Sequence, residues 1–334
     1  MKTLKALFLL ALLVPISGCN RNTETEIYQS SRDNMLDVKH LIHEIDLGDV
    51  MVGQFAGTII GGDYMFVFDY HAMDDAINIF DRNTYKHLVS FGETGQGPKE
   101  ITRIGEPLFN RETHELYVPD FGKYVILAYN TDSVLVDKKY PPYVKFKFKS
   151  DIFGSEYYFV NDTLSYCRAI RPIGTNDFAA MVGKYNMKTG EMKTLEYLHP
   201  DVRKKRIMLA VSFADGIYAE CNYFDDLISI FDLEGNLKKN IYGPHWGTND
   251  NTYTFVHPVF TNNYLASAYN GEDYDEHKPT KMCMIFTKSG DYVATLNIGY
   301  NIISMCYDDR NDRLIFNFND EIQFGYLDIR DLNL

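Results

Sequence analysis

The segment Ile228–Tyr242, ISIFDLEGNLKKNIY, reads as one complete β-hairpin. Ile228–Phe231 is apolar but for Ser229, and Asp232 stands where that strand ends. A carboxylate there can accept a hydrogen bond from its own backbone two residues on, and Gly235 supplies the positive φ that a tight turn needs. A second strand then closes on Ile241 and Tyr242. The pattern returns as INIFDRNTYKHLVSF from Ile77, VILAYNTDSVLV from Val125, VGKYNMKTGEMKTLEY from Val182, MIFTKSGDYVATLNI from Met284 and FGYLDIRDL from Phe324. The residues ending the first strands are Asp81, Asn130, Asn186, Asp232, Thr287 and Asp328, spaced 49, 56, 46, 55 and 41 residues apart. A propeller blade takes about 40 to 50 residues, so the repeat has the period of a blade.

Ahead of each hairpin lies one more short strand: Tyr64–Phe68, Glu115–Val118, Tyr157–Val160, Ile217–Ala219, Tyr264–Ala268 and Leu314–Phe316. Many of these are apolar at consecutive positions, where a half-exposed strand would alternate. Strands covered on both faces, as in blades packed face to face, give such runs. The sequence therefore predicts an all-β, six-bladed β-propeller over residues 36–334, with four-stranded antiparallel blades. The last unit is one strand short. Val38–Leu47, VKHLIHEIDL, precedes the first unit and is expected to supply the missing strand and close the ring, removing open sheet edges.

The 334 residues are 45% hydrophobic and 24% charged, enough apolar content for a real core. Acidic residues outnumber basic ones 46 to 33, which disfavours nucleic acid as a partner. The N-terminus carries Lys2 and Lys5, an apolar run from Ala6 to Val14 too short for a stable spanning helix, and Ile16-Ser17-Gly18-Cys19. This resembles the bacterial lipobox, whose Cys becomes the lipidated mature N-terminus. The reading is a signal peptide over 1–18, lipid on Cys19, and a polar flexible tether over 19–35. Asn20 rather than Asp after the Cys favours the outer membrane by family analogy. The remaining cysteines, Cys167, Cys221, Cys283 and Cys306, sit singly in apolar runs and read as buried free thiols.

The segment Phe91–Ile101, FGETGQGPKEI, has a Gly-x-Gly-Pro-x-Glu core. It looks like a signature of the TolB-like six-bladed β-propeller lipoproteins of Bacteroidetes, and more distantly resembles NHL-type propellers. The chain departs from the usual pattern in having Lys99 after the proline. The resemblance implies a cell-envelope protein and carries over no catalytic residue.

No HExxH, GxSxG, GxGxxG or EF-hand loop is present. Topology says more than motifs. In a four-stranded blade, the loop between strands two and three shares a face with the crossover to the next blade. Those loops are Tyr70–Asp75, Asp120–Lys123, Arg171–Asp177, Asn222–Asp226, Asn270–Thr280 and Asn319–Glu321. They are rich in acid and poor in base, as a binding face can be. The candidate ligand-contacting residues there are Arg171, Trp246, His245, His71, Asp120, Lys123, Asp226 and Asp273. Arg171 is the expected anchor for an anionic ligand group. His71, His245 and His277 lie on different units, so no zinc site is read from them. Asp132-Ser133-Val134 and Asp162-Thr163-Leu164 resemble O-glycosylation acceptors. The sequence thus points to a monomeric, non-enzymatic envelope lipoprotein, held to the membrane by lipid and binding a protein, peptide or glycan without a cofactor. Its alternative is a lactonase-like or lyase-like propeller enzyme with a divalent cation in the channel.

Overall fold

A computed structural model describes residues 22–149, 152–175, 177–248, 252–332 and 334. The signal peptide and Cys19 lie outside the described residues. Three short strands come first: β1 (Glu26–Tyr28), β2 (Met35–Asp37) and β3 (His43–Glu44). Blade 1 is β4 (Ala56–Gly61), β5 (Tyr64–Asp69), β6 (Asp75–Asp81) and β7 (His87–Glu93). Blade 2 is β8 (Leu108–Asn110), β9 (Glu115–Asp120), β10 (Val125–Asn130) and β11 (Tyr143–Lys147), with the helix α1 (Thr131–Val136) before its last strand. Blade 3 is β12 (Phe153–Asn161), β13 (Leu164–Gly174), β14 (Asp177–Asn186) and β15 (Glu191–Leu195). Blade 4 is β16 (Ile207–Ser212), β17 (Ile217–Asn222), β18 (Leu227–Asp232) and β19 (Leu237–Tyr242). Blade 5 is β20 (Thr252–Phe260), β21 (Tyr264–Asp273), β22 (Met282–Thr287) and β23 (Tyr292–Asn297), and blade 6 contributes β24 (Ile302–Asp308), β25 (Arg313–Phe318) and β26 (Phe324–Asp328).

Within each blade the strands run in sequence order and antiparallel, and the first strands meet around a central channel. Each interface between neighbouring blades holds a buried apolar cluster, including the interface of blade 6 with blade 1. In β5, Phe66 and Phe68 enter the interface with blade 2, while Met65 and Val67 enter the one with blade 6. Alternate side chains thus fill two different interfaces, which is why the strand is apolar at every position. The turn chemistry holds too. The Asp81 carboxylate accepts from the backbone N–H groups of Asn83 and Thr84, and Asp232 accepts from those of Glu234 and Asn236.

The ring closes as the sequence predicts. β3 pairs antiparallel with β26, placing His43 opposite Tyr326 and Glu44 opposite Gly325, and the Ile45 N–H donates to the Phe324 carbonyl at 2.9 Å. Residues 22–37, in contrast, are no leash. β1 adds parallel to β19 and β2 parallel to β23, so this stretch straps the outer edges of blades 4 and 5. Three-residue strands are too short to leave a periodic signature, and an open sheet edge is what recruits them. Arg32 fastens the strap. Its guanidinium is buried between blades 4 and 5, 2.6 Å from Asp226 and over the rings of Phe255 and Phe286.

Two other readings change. The fourth strand of blade 2 is β11, because Asn130 accepts from the Ser133 N–H and caps α1 where the pattern suggested a hairpin. In blade 3, Tyr157–Val160 belongs to the first strand, β12, and the second strand is β13.

On the face opposite the crossovers, Arg82 of blade 1 is buried against Asp308 of blade 6. Its Nε donates to the Asp308 carboxylate at 2.8 Å, and Nη2 bonds both Asp308 and Asp309. These bonds hold the Asp308 carboxyl below the usual carboxylate range against the opposing effect of burial. Because its folded pKa is depressed, the stabilisation is present above the unfolded value and is lost as pH falls through the folded one. Arg82→Ala leaves a buried charge unpaired and is expected to cost about 3–5 kcal/mol, lowering the melting temperature by roughly 10 °C. Thermal melts against pH check this: the gap between wild type and variant should narrow below about pH 4. A variant melting within a degree or so of wild type at neutral pH would contradict the seam.

Candidate functional site

The crossovers and the loops between second and third strands share one face, as the blade topology requires. A cavity of about 740 Å³ opens there across blades 3 to 5. Trp246, Phe224 and Tyr274 give it aromatic walls, and Asp201, Arg203, Lys204, Asp225 and Asp275 give it charge. Trp246 is half-buried, with its ring 4.8 Å from that of Tyr242 and edge-on to His199 at 5.1 Å. Tyr242 in turn stacks on Tyr28 of the strap at 4.4 Å, and its hydroxyl donates to Glu26. His199 is bonded to the Tyr242 hydroxyl at 2.8 Å, and burial lowers its pKa. The one tryptophan of the chain is therefore both packed from behind and open to the groove in front. Phe224 and Tyr274, also in the groove's lining, meet edge to face at 5.3 Å.

The other residues singled out from sequence separate into two groups. Asp120 is fully buried, and its carboxylate accepts from the backbone N–H groups of Thr102, Arg103 and Gly122. Lys123 caps the carbonyls of Gly97 and Glu100. Together they hold the Gly-x-Gly-Pro-x-Glu loop, in which Glu100 folds back onto the Gly97 N–H at 2.6 Å. A Cβ at Gly95 or Gly97 would strike that carboxylate, so this motif is an inter-blade turn. Asp226 is likewise consumed, pairing with Arg32 and accepting from the His245 N–H at 3.2 Å. These three side chains anchor structure and do not present themselves to a ligand.

His71, His245, Asp273 and Arg171 are exposed or half-exposed on the loop face. His245 adjoins Trp246 at the groove. Asp273 caps a short turn through the Asp275 N–H at 2.9 Å. Arg171 sits on an extension of β13 rather than in an open loop, and it lies 3.5 Å from Glu196, while Asp177 pairs with Lys204 and Arg206. Ser133 is half-buried in the first turn of α1, and Thr163 is exposed in the turn after β12. Among the described residues Cys167, Cys221, Cys283 and Cys306 are unpaired, with burial raising each thiol pKa.

The channel holds polar residues that sequence reading passed over. Glu156 on β12 and His257 on β20 both have positive φ, 51° and 48°, at places where the strand register slips. Bulges of this kind re-aim side chains, and non-glycine residues with φ > 0 carry strain. Glu156 bonds Arg168 at 2.9 Å and accepts from the Leu209 N–H at 3.2 Å. Arg168 also donates to Ser155 and to the Ile207 carbonyl. Glu106, at the end of the first crossover, is set by Gly105, where a Cβ would strike Phe121, and by Pro107, which keeps it extended. Burial chiefly, and then the Glu156 carboxylate, push its pKa up to about 8 despite Arg168. Burial, with Arg168 adding, lowers His257 to about 4. The available signal was a lone titratable residue inside an apolar run, as in SEYYFV and TFVHPVF. Among the described residues no group of three or more His, Cys, Asp or Glu converges to hold a metal ion.

No protein-family model matches the chain, and no curated protein matches it. Among solved structures, an exported protein of Bacteroides fragilis superposes with a TM-score of 0.57 at 12% identity, covering 89% of each chain. A member of the DUF4221 family from Bacteroides vulgatus gives 0.55 at 11% identity, over 86% of this chain and 94% of that one. Regucalcin, a calcium-binding protein of Agrobacterium tumefaciens, gives 0.53 at 8% identity, over 91% and 95%. At these identities the likeness is one of fold, a β-propeller.

Proposed function

We propose that this protein is an envelope-tethered, non-enzymatic binding propeller that takes a glycan in the groove between Trp246 and the Phe224–Tyr274 pair. The observation that carries the reading is the groove itself: about 740 Å³, lined by three aromatic residues together with acids and bases. A sugar ring has an apolar face that stacks on aromatics and a rim of hydroxyls that such acids and bases can bond. A peptide is the other polymer of suitable size, and it is an outcome of the test.

Envelope location rests on the lipobox-like Ile16–Cys19 segment, and the TolB-like resemblance is consistent with it. Cys19→Ser removes the only thiol that can take the lipid there, and should move the protein from the membrane to the soluble fraction on detergent partitioning. Variant protein that still fractionates with membranes would overturn the anchor.

Because Trp246 is the chain's only tryptophan, its emission reports directly on the groove. Titration with a panel of envelope oligosaccharides should shift that emission saturably. Phe224→Ala and Tyr274→Ala should each weaken binding by several-fold to about tenfold without lowering the melting temperature much, because each removes one stacking face. Emission unmoved by every glycan, with a shift only for peptides, would replace the glycan by a peptide ligand; a silent Trp246 with both would refute the groove as the binding site.

A further inference from the structure

A second cavity, of about 210 Å³, lies at the channel mouth between blades 1, 5 and 6, apart from the Trp246 groove. Phe55, Phe68 and Tyr70 form its apolar wall, and Thr58, Glu106 and His257 its polar one. Phe68 and Tyr70 meet edge to face at 5.3 Å. A Cβ at Gly57 would collide with the Phe68 ring, so that glycine lets the aromatic wall form. Thr58 is 7% exposed and its hydroxyl has no hydrogen-bond partner among the described residues, which a buried polar group rarely tolerates without a ligand or water to meet it.

We propose that this cavity binds a small organic cation, an ammonium group carried on a compact apolar body, with the ammonium against Glu106 and the body against Phe55, Phe68 and Tyr70. Charge selects the cation. Of the two carboxyl groups in the channel, Glu156 is already neutralised by Arg168, whose nitrogens are spent on Glu156, Ser155 and the Ile207 carbonyl. Glu106 has no such partner among the described residues, so when it ionises only an arriving cation can meet its charge. An anion finds no arginine or lysine among the described residues that line the cavity. The aromatic faces favour a cation further, and the size of the cavity favours a small one.

The other titratable groups around Glu106 do not compete for the role. His257 is uncharged at neutral pH, its pKa lowered by burial and Arg168. Tyr70, Tyr158 and Cys306 are all raised, by burial first, and stay protonated. Glu106 itself, raised to about 8, is mostly protonated in the empty pocket at neutral pH. An arriving ammonium favours the carboxylate, so binding must expel a proton from Glu106 to solvent.

That coupling makes the test. Calorimetric titration at pH 7 with a series from methylammonium to phenylethylammonium, set against 2-phenylethanol and 3-phenylpropionate, reads affinity and proton release together. The expected result is saturable binding of at least one amine at millimolar concentration or below, with close to one proton released per amine as judged from two buffers of different ionisation enthalpy. Glu106→Gln, whose amide keeps the shape of the protonated acid, should lose roughly tenfold to hundredfold in affinity and lose the proton release, with the melting temperature unchanged. Trp246→Phe should leave amine binding intact, which separates this pocket from the glycan groove. Failure of every amine to bind, equal or better binding by the alcohol or the carboxylate, or amine binding that survives Glu106→Gln, would each overturn the proposal.

Discussion

The pairing of β3 with β26 is the contact on which the rest of the molecule depends. A propeller assembled from six sequential units would leave the first and last blades joined only by side-chain packing. Here the outermost strand of blade 6 comes from the N-terminus, so the chain cannot open between blades 6 and 1 without breaking backbone hydrogen bonds. Arg82 and Asp308 lock the same seam on the opposite face. Upstream of β3, the strap covers the edges of blades 4 and 5, which would otherwise expose unpaired N–H and C=O groups. One N-terminal segment of about two dozen residues therefore serves three blades.

Closure also sets the functional geometry. Six first strands held in a ring bring Glu156 from β12 and His257 from β20 to one channel, although the two residues are 101 positions apart in sequence. The strap does similar work for the groove, since Tyr28 backs Tyr242 and Tyr242 backs Trp246. The loop face is thus supported by the same segment that closes the ring. The two cavities differ in character accordingly. The groove is wide, rimmed with charge of both signs, and built from loops; the channel pocket is small, walled largely by strands, and holds Glu106, a carboxyl group with no salt-bridge partner among the described residues.

Much of the architecture is legible in the sequence because it is written locally. Asp81 and Asp232 end strands with side-chain to backbone bonds, and consecutive apolar residues such as Tyr64–Phe68 report packing on both faces. The closing strand was legible from a counting argument, one strand missing at the end and one to spare at the start. What escaped was non-local. The strap strands are three residues long and owe their conformation to the edges they cover. α1 replaced a hairpin because Asn130 serves equally well as a turn residue or a helix cap. The loop face was placed correctly, but charge alone did not separate Asp120 and Asp226, which hold backbone and Arg32, from Asp225 and Asp275, which line the groove. Glu156 and His257 were hidden inside strand-like runs and Glu106 in a crossover beside Pro107, and only the bulges and the ring geometry bring the three to one channel.

The most direct measurement of this account is native-state hydrogen exchange at the Ile45 amide, whose N–H bonds the Phe324 carbonyl across the seam. If the N-terminal strand closes the ring, Ile45 should be protected to nearly the same degree as the central amides of β25, such as Phe316, because opening it requires opening the blade. Exchange of Ile45 at close to the rate of an unstructured peptide, while Phe316 stays protected, would show that blade 6 stands without its N-terminal strand and would contradict the account.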